Sequence, residues 1–565
     1  MSFVLADDVL CMILDILGDE RDHHSLFQCA LSSRHLAAHS IPVLYKVCHA
    51  SPVRGGGTED EQFFNPLKRP PFNASLKRMV DPAVHKWALL WRSLALSSLG
   101  HTYLPYCSYL RYLDLDDLGD LLKDPKFSGQ IREDFFSSEL LDTVSSDYEA
   151  KGNKRLRSSA KGPDPSADLV KLRIGSAIVK KATSIRGMSL HVPPETLSEW
   201  VAGLPLLQSL TVWSGAALSQ HTGAQLRENC PKFKQLTIYS WRDRPPITAE
   251  AESEEFLKEL SPDTLECFDL ISLSQLGPRS VAALGSQLQS LSELKLTSLT
   301  IKAIAELPSL KPLPSLRALA LVDSVPSPRN ESFYAIVSQV AEWIGNCRSL
   351  RQLDLRRFVD DPFLLSQTLS KEGLTLTNLS LAKYDMSGSD AFHEALGRQQ
   401  SLRSLCLSGD PSFVPEDIEI LVQALGQLHE LRDLDLKDIS DGFAQEHVIT
   451  LTASLPHLEC LWISGDFFDD TVLQAFYHLR ELRALVIPAF SKFTADGIFD
   501  FISHLGPGNT GFSLSILNAV DSTLTEEAQL LISETLKASV DGSFDYGIVP
   551  LDDSDSSVPE DGVYW

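Results

Sequence analysis

The stretch LRDLDLKDI, residues 431–439, carries leucine at its first, fourth and sixth positions: Leu431, Leu434 and Leu436. The last two lie at strand spacing, so on an extended chain they share one side while Asp433 and Asp435 take the other. The same spacing recurs upstream as LRYLDL at 110, LQSLTV at 207, FKQLTI at 233, LECFDL at 265 and LSELKL at 291. It continues as LRALAL at 316, LRQLDL at 350, LTNLSL at 376 and LRSLCL at 402, then downstream as LECLWI at 458 and LRALVI at 482. A weaker copy, IRGMSL, starts at 185, and another runs through Leu514 and Ile516. These copies, at a mean period of about 27 residues, make an internal repeat.

Between copies the pattern changes to helical. In PEDIEILVQAL, residues 415–425, proline and acids open the segment and Ile418, Leu421, Val422 and Leu425 share one face. Strand plus helix, stacked copy on copy, predicts a curved solenoid that folds as one body, because each copy is covered only by its neighbours. Residues 105–520 resemble the long-repeat, helix-bearing leucine-rich repeat class, the ribonuclease-inhibitor-like type, which implies an α/β fold with parallel strands. The leucines are then scaffold, and residues between and after them point to the concave sheet face. Candidate contacts for a protein target are Trp213, Tyr239, Asp354, Arg356, Asp433, Asp435, Lys437 and Trp462.

Composition narrows the partners. The formal net charge of -25 repels phosphate backbones and acidic membranes, so neither nucleic acid nor membrane is an expected partner. There is no uncharged apolar run of the ~18 residues a membrane span needs. The opening aspartates, with no cleavage site after them, are unlike a signal peptide, so the expected location is intracellular, cytoplasmic and/or nuclear. Nine scattered cysteines with no C-x-x-C pair fit reduced core thiols.

The repeat lapses between 119 and 184. LLKDPKFSGQIREDFFSSELL reads as helical packing, and the polar stretch after it holds the basic cluster Lys151, Lys154, Arg155, Arg157 and Lys161, a solvated loop or a nuclear-import signal. KWALLWRSLALSSLG at 86–100 reads as a helix that ends at Gly100 and caps the solenoid; SPVRGGGTEDEQ at 51–62 reads as a linker. The tail from Asp541 to Trp565 has seven acids and no Lys or Arg, and is expected to be disordered. The expected layout is a helical module at 1–50, linker and cap at 51–104, the solenoid at 105–520 with its insertion, and a terminal helix and acidic tail at 521–565.

Catalytic and cofactor chemistry is not expected. GPGNTG at 506–511 follows a helical stretch and precedes a strand-like one, the reverse of a dinucleotide site, so it reads as a turn. GMSLH at 187 lacks the last glycine of a nucleophile elbow. His35 and His39, with His23, His24, Cys29 and Cys48 nearby, want the second ligand pair that would close a zinc tetrahedron, so no metal is expected.

The N-terminus is different in kind. On LADDVLCMILDIL, residues 5–17, the apolar residues Leu5, Val9, Leu10, Met12, Ile13, Leu14, Ile16 and Leu17 sweep roughly 200°, twice what a surface helix needs. After a charged loop, LFQCALSSRHLAAHSIPVLY at 26–45 reads as a short helix, a break near Ser32 and Ser33, and another helix ended by Pro42.

This three-helix stretch resembles an F-box, the module that binds the Skp adaptor of cullin-RING ubiquitin ligases. Leu5, Asp8, Val9 and Leu10 match the family's opening in type, with Ala6 in place of proline. Leu26 and Leu31 answer its second helix and Arg34 its arginine, while Ser33 and Leu36 stand where cysteine and tryptophan are common. The resemblance implies an adaptor surface drawn from Leu5, Val9, Leu10, Ile13, Leu14, Leu17, Leu26, Leu31 and Leu36. One side of the wide arc would pack inside the box on Leu26, Leu31 and Leu36, and the other would meet the adaptor and, through it, cullin. The expected role is a substrate-recognition subunit with no activity of its own. Two alternatives stay open, a non-ligase interaction scaffold and a GTPase-activating leucine-rich repeat protein.

Overall fold

The computed structural model describes residues 6–50, 82–136, 140, 166–219, 221–359, 361–519 and 524–548. Leu5, the linker, the basic cluster and the tail beyond 548 lie outside them. The chain divides into two compact units, Met1–Leu291 and Ser292–Trp565, where one body was expected. In a stack, each repeat packs only on its neighbours, so compactness is a local property. Among the described residues no helix is long and apolar enough to cross a membrane.

The first unit begins with three helices, α1 (Asp7–Asp19), α2 (His23–Ser32) and α3 (Arg34–Lys46). Asp22 caps α2 by accepting from the Ser25 N–H at 2.9 Å, and Ser33 caps α3 by accepting from Leu36 N–H at 3.2 Å. The Ser32–Ser33 break is thus a real cap. Pro42, however, does not end α3, which continues to Lys46. Proline removes one backbone donor, and the turn beyond it packs Val43, Leu44 and Val47 on the module core of Leu10, Leu14 and Leu26.

Next come α4 (Pro82–Leu99), α5 (Leu115–Lys123), α6 (Gln130–Phe135) and α7 (Ala167–Lys181). The residue after α4, Gly100, has φ 82°, a left-handed stop that favours glycine. The apolar face of α4 carries Trp87, Trp91 and Leu94 inward against α7. Both indoles are anchored: Trp87 Nε1 and Trp91 Nε1 donate to Asp117 Oδ2 at 2.9 and 2.7 Å. The helix expected to cap the solenoid thus packs on α7, which lies within the lapse.

Every copy of the leucine pattern lies on a strand or runs directly into one. In the first unit β1 (Tyr112–Asp114), β2 (Gly187–Leu190), β3 (Ser209–Ser214), β4 (Gln235–Ser240) and β5 (Cys267–Leu270) pair in parallel in chain order. In the second unit the strands are β6 (Glu293–Thr297), β7 (Ala318–Val322), β8 (Gln352–Arg356), β9 (Asn378–Asp385), β10 (Ser404–Asp410), β11 (Asp433–Asp435) and β12 (Cys460–Trp462). They continue as β13 (Phe468–Asp469), β14 (Ala484–Lys492), β15 (Ser513–Ala519) and β16 (Ser543–Ile548), parallel in order, with β13 beside β14 only. Leu431, Leu434 and Leu436 are buried, as are their counterparts Leu350, Leu353 and Leu355. Each such side chain stabilises the fold by roughly 1.5–3 kcal/mol relative to exposure. Together the helices and parallel strands are a leucine-rich repeat architecture of the long, helix-bearing type.

The tail reading needs correction, because β16 occupies the start of it. Phe544 and Tyr546 pair with Leu514 and Ile516, so aromatics stand where leucine and isoleucine stand in the preceding repeat. GPGNTG lies between the helix Ala495–Ser503 and β15 and contains only a short 3-10 turn, Pro507–Asn509.

Buried amides tie neighbouring repeats. Gln287 Oε1 accepts the N–H groups of Thr264 and Leu265, both at 3.0 Å. Gln399 Oε1 accepts Leu376 N–H at 3.2 Å, and Asn509 Nδ2 donates to the Leu479 and Leu482 carbonyls at 3.2 and 2.8 Å. Each spans about one full period of the repeat along the chain.

Candidate functional site

The arc of α1 is split in two by the fold. Leu10 and Leu14 face inward with Leu26, all buried, and Leu17 and Leu36 pack half-buried against them. Val9, Met12, Ile13 and Ile16 form one stripe at helical spacing on the other side, 43%, 65%, 41% and 53% exposed. On α2, Phe27 and Leu31 make a second exposed pair one turn apart. Of the residues assigned to adaptor contact, Val9, Ile13 and Leu31 are thus accessible, whereas Leu10, Leu14 and Leu26 present almost no surface. Leu31 does not pack inside the module as expected, because its position on α2 points away from the core that Leu26 enters. Met12, Ile16 and Phe27 were missed as surface residues; Met12 and Ile16 were legible in the arc, but only the packing shows which side is covered.

The eight sheet-face candidates fall in both units. In the first, Trp213 and Tyr239 lie on adjacent strands with ring centroids 4.5 Å apart. Trp213 Nε1 donates to Asp116 Oδ2 at 2.6 Å, and Lys171 Nζ lies 3.6 Å from Asp116 Oδ1. Burial holds the Asp116 carboxyl above the usual carboxylate range, although Lys171 pulls it down. Trp213, Asp116 and Lys171 line a cleft of about 650 Å³ with Asp120, Asp168 and His191. Asp116 and Lys171 gave no sign in sequence, because an acid just after a strand reads as an ordinary helix opener.

In the second unit, Asp354 and Arg356 hold each other in a two-point ion pair, 2.9 Å from Nε to Oδ1 and 2.8 Å from Nη2 to Oδ2. Arg356 is therefore committed to its own strand. Just past β11, Lys437 Nζ sits 5.6 Å from the centre of the Trp462 ring on β12, a cation–π contact. Asp435 accepts from the Lys437 N–H at 3.0 Å and faces Cys406 Sγ at 3.7 Å; burial raises its carboxyl. Asp433 is exposed beside the half-buried Cys460. Asp435, Lys437 and Trp462 thus form one local group, and Asp354 with Arg356 another.

A cleft of about 800 Å³ in this unit opens where the chain leaves β7, β8 and β9. Asp323, Arg357 and Lys383 stand at its mouth, and Tyr334 and Phe363 meet edge to face within it. Asp323 and Arg357 form an ion pair. Asp323 and Arg357 lie just past β7 and β8, and Lys383 near the end of β9, beyond the reach of the leucine spacing. Behind the cleft, Tyr384 and His393 share a hydrogen bond at zero exposure. Burial pushes the His393 imidazole down to about 4, which keeps it neutral at physiological pH.

No protein-family model and no curated protein matches the chain. A solved Rad7 and Elc1 complex from yeast is similar at 15% identity and a TM-score of 0.34, over 62% of this chain and 77% of that one. A solved TLR13–ssRNA13 complex is similar at 14% identity and a TM-score of 0.29, over 65% of this chain and 62% of that one. These likenesses extend to fold at most, and the repeat architecture stands on this chain's own strands.

Proposed function

We propose that this protein is the substrate-recognition subunit of an SCF-type ubiquitin ligase, with the three-helix module as its F-box and the repeats as the platform for a protein target. The observation that carries the reading is the stripe Val9, Met12, Ile13 and Ile16, which stays in water while Leu10 and Leu14 fill the core behind it. A contiguous apolar stripe rimmed by acids is a surface suited to a partner, and the Skp adaptor is the partner the F-box resemblance names. In this reading the chain catalyses nothing: it holds a target beside a charged ubiquitin-conjugating enzyme, and proximity does the rest.

The test is capture of full-length protein by purified Skp adaptor, wild type beside Met12→Asp/Ile16→Asp. Both positions are exposed, so the variant keeps its fold, whereas a charge at Leu10 would disrupt the core. Capture lost in the variant alone supports the ligase reading. No capture of the wild type removes it and leaves an interaction scaffold.

A further inference from the structure

His35 and His39 lie one turn apart on α3, and Asp7 and Cys11 lie one turn apart on α1. Residues four apart share a helix face, and packing turns these two faces toward each other. His35 Nε2 is 3.2 Å from Asp7 Oδ1, and Cys11 Sγ is 3.5 Å from His39 Nδ1. The donor atoms of Asp7, His35 and His39 all fall within 4.8 Å of one another. Around tetrahedral zinc, bonds of ~2.0–2.1 Å to nitrogen or oxygen and ~2.3 Å to sulfur set ligands ~3.3 Å apart, or ~3.6 Å where one is sulfur. Two edges of that tetrahedron are already present.

We propose that Asp7, Cys11, His35 and His39 form a zinc-binding site that staples α1 to α3. The second ligand pair, which the neighbourhood of His35 lacks in sequence, arrives from another helix. Two imidazoles, a thiolate and one carboxylate suit zinc; calcium and magnesium call for oxygen ligands throughout. Cys11 meets the trio through His39 and completes the set by turning about χ1, a small cost for an exposed side chain. Asp7 and His35 are more than half exposed, so the ion enters from solvent. On binding, a zinc–sulfur bond forms, the Cys11 thiol proton passes to buffer, and no electron moves. The site is independent of the ligase reading, since it needs no adaptor.

The experiment is titration of chelator-stripped, full-length protein with Zn²⁺ against a chromophoric competitor, and with Co²⁺ by absorption. His39→Ala and Cys11→Ser should each weaken zinc binding by ~100-fold or more. His221→Ala serves as control, because His221, Glu255 and Glu259 are another exposed cluster of possible ligands, and it should change nothing. The Co²⁺ form should show a thiolate charge-transfer band that Cys11→Ser removes, and one equivalent of Zn²⁺ should shield Cys11 from a thiol reagent. Asp7, Cys11 and His35 are exposed and His39 is half-buried, so helical melting without metal should differ little among the variants. Wild-type affinity weaker than about 10 μM would overturn the site. So would binding that survives His39→Ala or Cys11→Ser, or binding lost in His221→Ala.

Discussion

Tyr45 of α3 and Ser93 of α4 lie 2.8 Å apart, oxygen to oxygen, and the contact joins the N-terminal module to the helix that precedes the repeats. Ser93 donates to the Leu90 carbonyl, so the Tyr45 phenol is the donor between them. Its ring also stacks on Tyr106 with centroids 4.7 Å apart. Tyr45→Phe should cost about 1 kcal/mol, and Tyr45→Ala about 3–5 kcal/mol. Urea denaturation reads both, and hydrogen exchange should rise across α1–α3 in the alanine variant.

The same phenol gives a pH dependence. Burial pushes Tyr45 up to about 12, above the ~10 of an unfolded tyrosine. The fold favours the neutral form, so this contribution is complete below pH ~10 and is lost as pH rises toward 12. Over that window wild type should lose stability more steeply than Tyr45→Phe, as followed by circular dichroism.

Asp117 holds two indoles on one carboxylate oxygen. Asp117→Ala leaves the N–H groups of Trp87 and Trp91 without that acceptor in a buried setting, at about 2–5 kcal/mol. Asp117→Asn keeps an acceptor and should cost less. Thermal unfolding followed by tryptophan fluorescence ranks the three proteins, and equal midpoints would contradict the role given to Asp117.

The two sides of α1 should separate stability from binding. Leu14→Ala removes a core side chain and should cost about 2–5 kcal/mol, whereas Ile16→Ala should stay within about 0.5 kcal/mol of wild type. Adaptor capture should be the more sensitive of the two to Ile16. A stability loss at Ile16 as large as that at Leu14 would mean that the stripe is covered by its own chain.

Thiol reactivity should follow exposure. Burial pushes the Cys230 thiol up to about 12 and raises Cys347 as well, while Cys11 is exposed. At pH 8 a thiol-specific reagent should modify Cys11 first, and Cys107, Cys230 and Cys347 only after unfolding, as peptide mass mapping would show.

The repeat was legible because leucine at positions one, four and six is a demand of the packing itself: a strand residue beneath a neighbour must be apolar. Where another residue meets that demand the signal fades, as at Phe544 and Tyr546, which place β16 inside a stretch that reads as acidic tail. Pro42 misled for a related reason, since one missing donor weighs less than the contacts of Val43 and Val47. Side-chain commitments were hidden. Spacing puts Arg356 on the sheet face, but only the fold shows it locked to Asp354. Likewise Cys11 and His39, 28 positions apart, become neighbours only through the crossing of two helices.

The buried amides have a bearing on how the chain finds its pairing. Leucine cores of successive repeats are nearly interchangeable, so a strand docked one period out of place would still bury apolar surface. At Gln287, Gln399 and Asn509 such a strand would also have to bring backbone groups back within reach of a buried amide, or leave that polar group unpaired out of water. They act as identity marks on otherwise similar rungs, giving an error-prone ladder three places where a misreading is rejected.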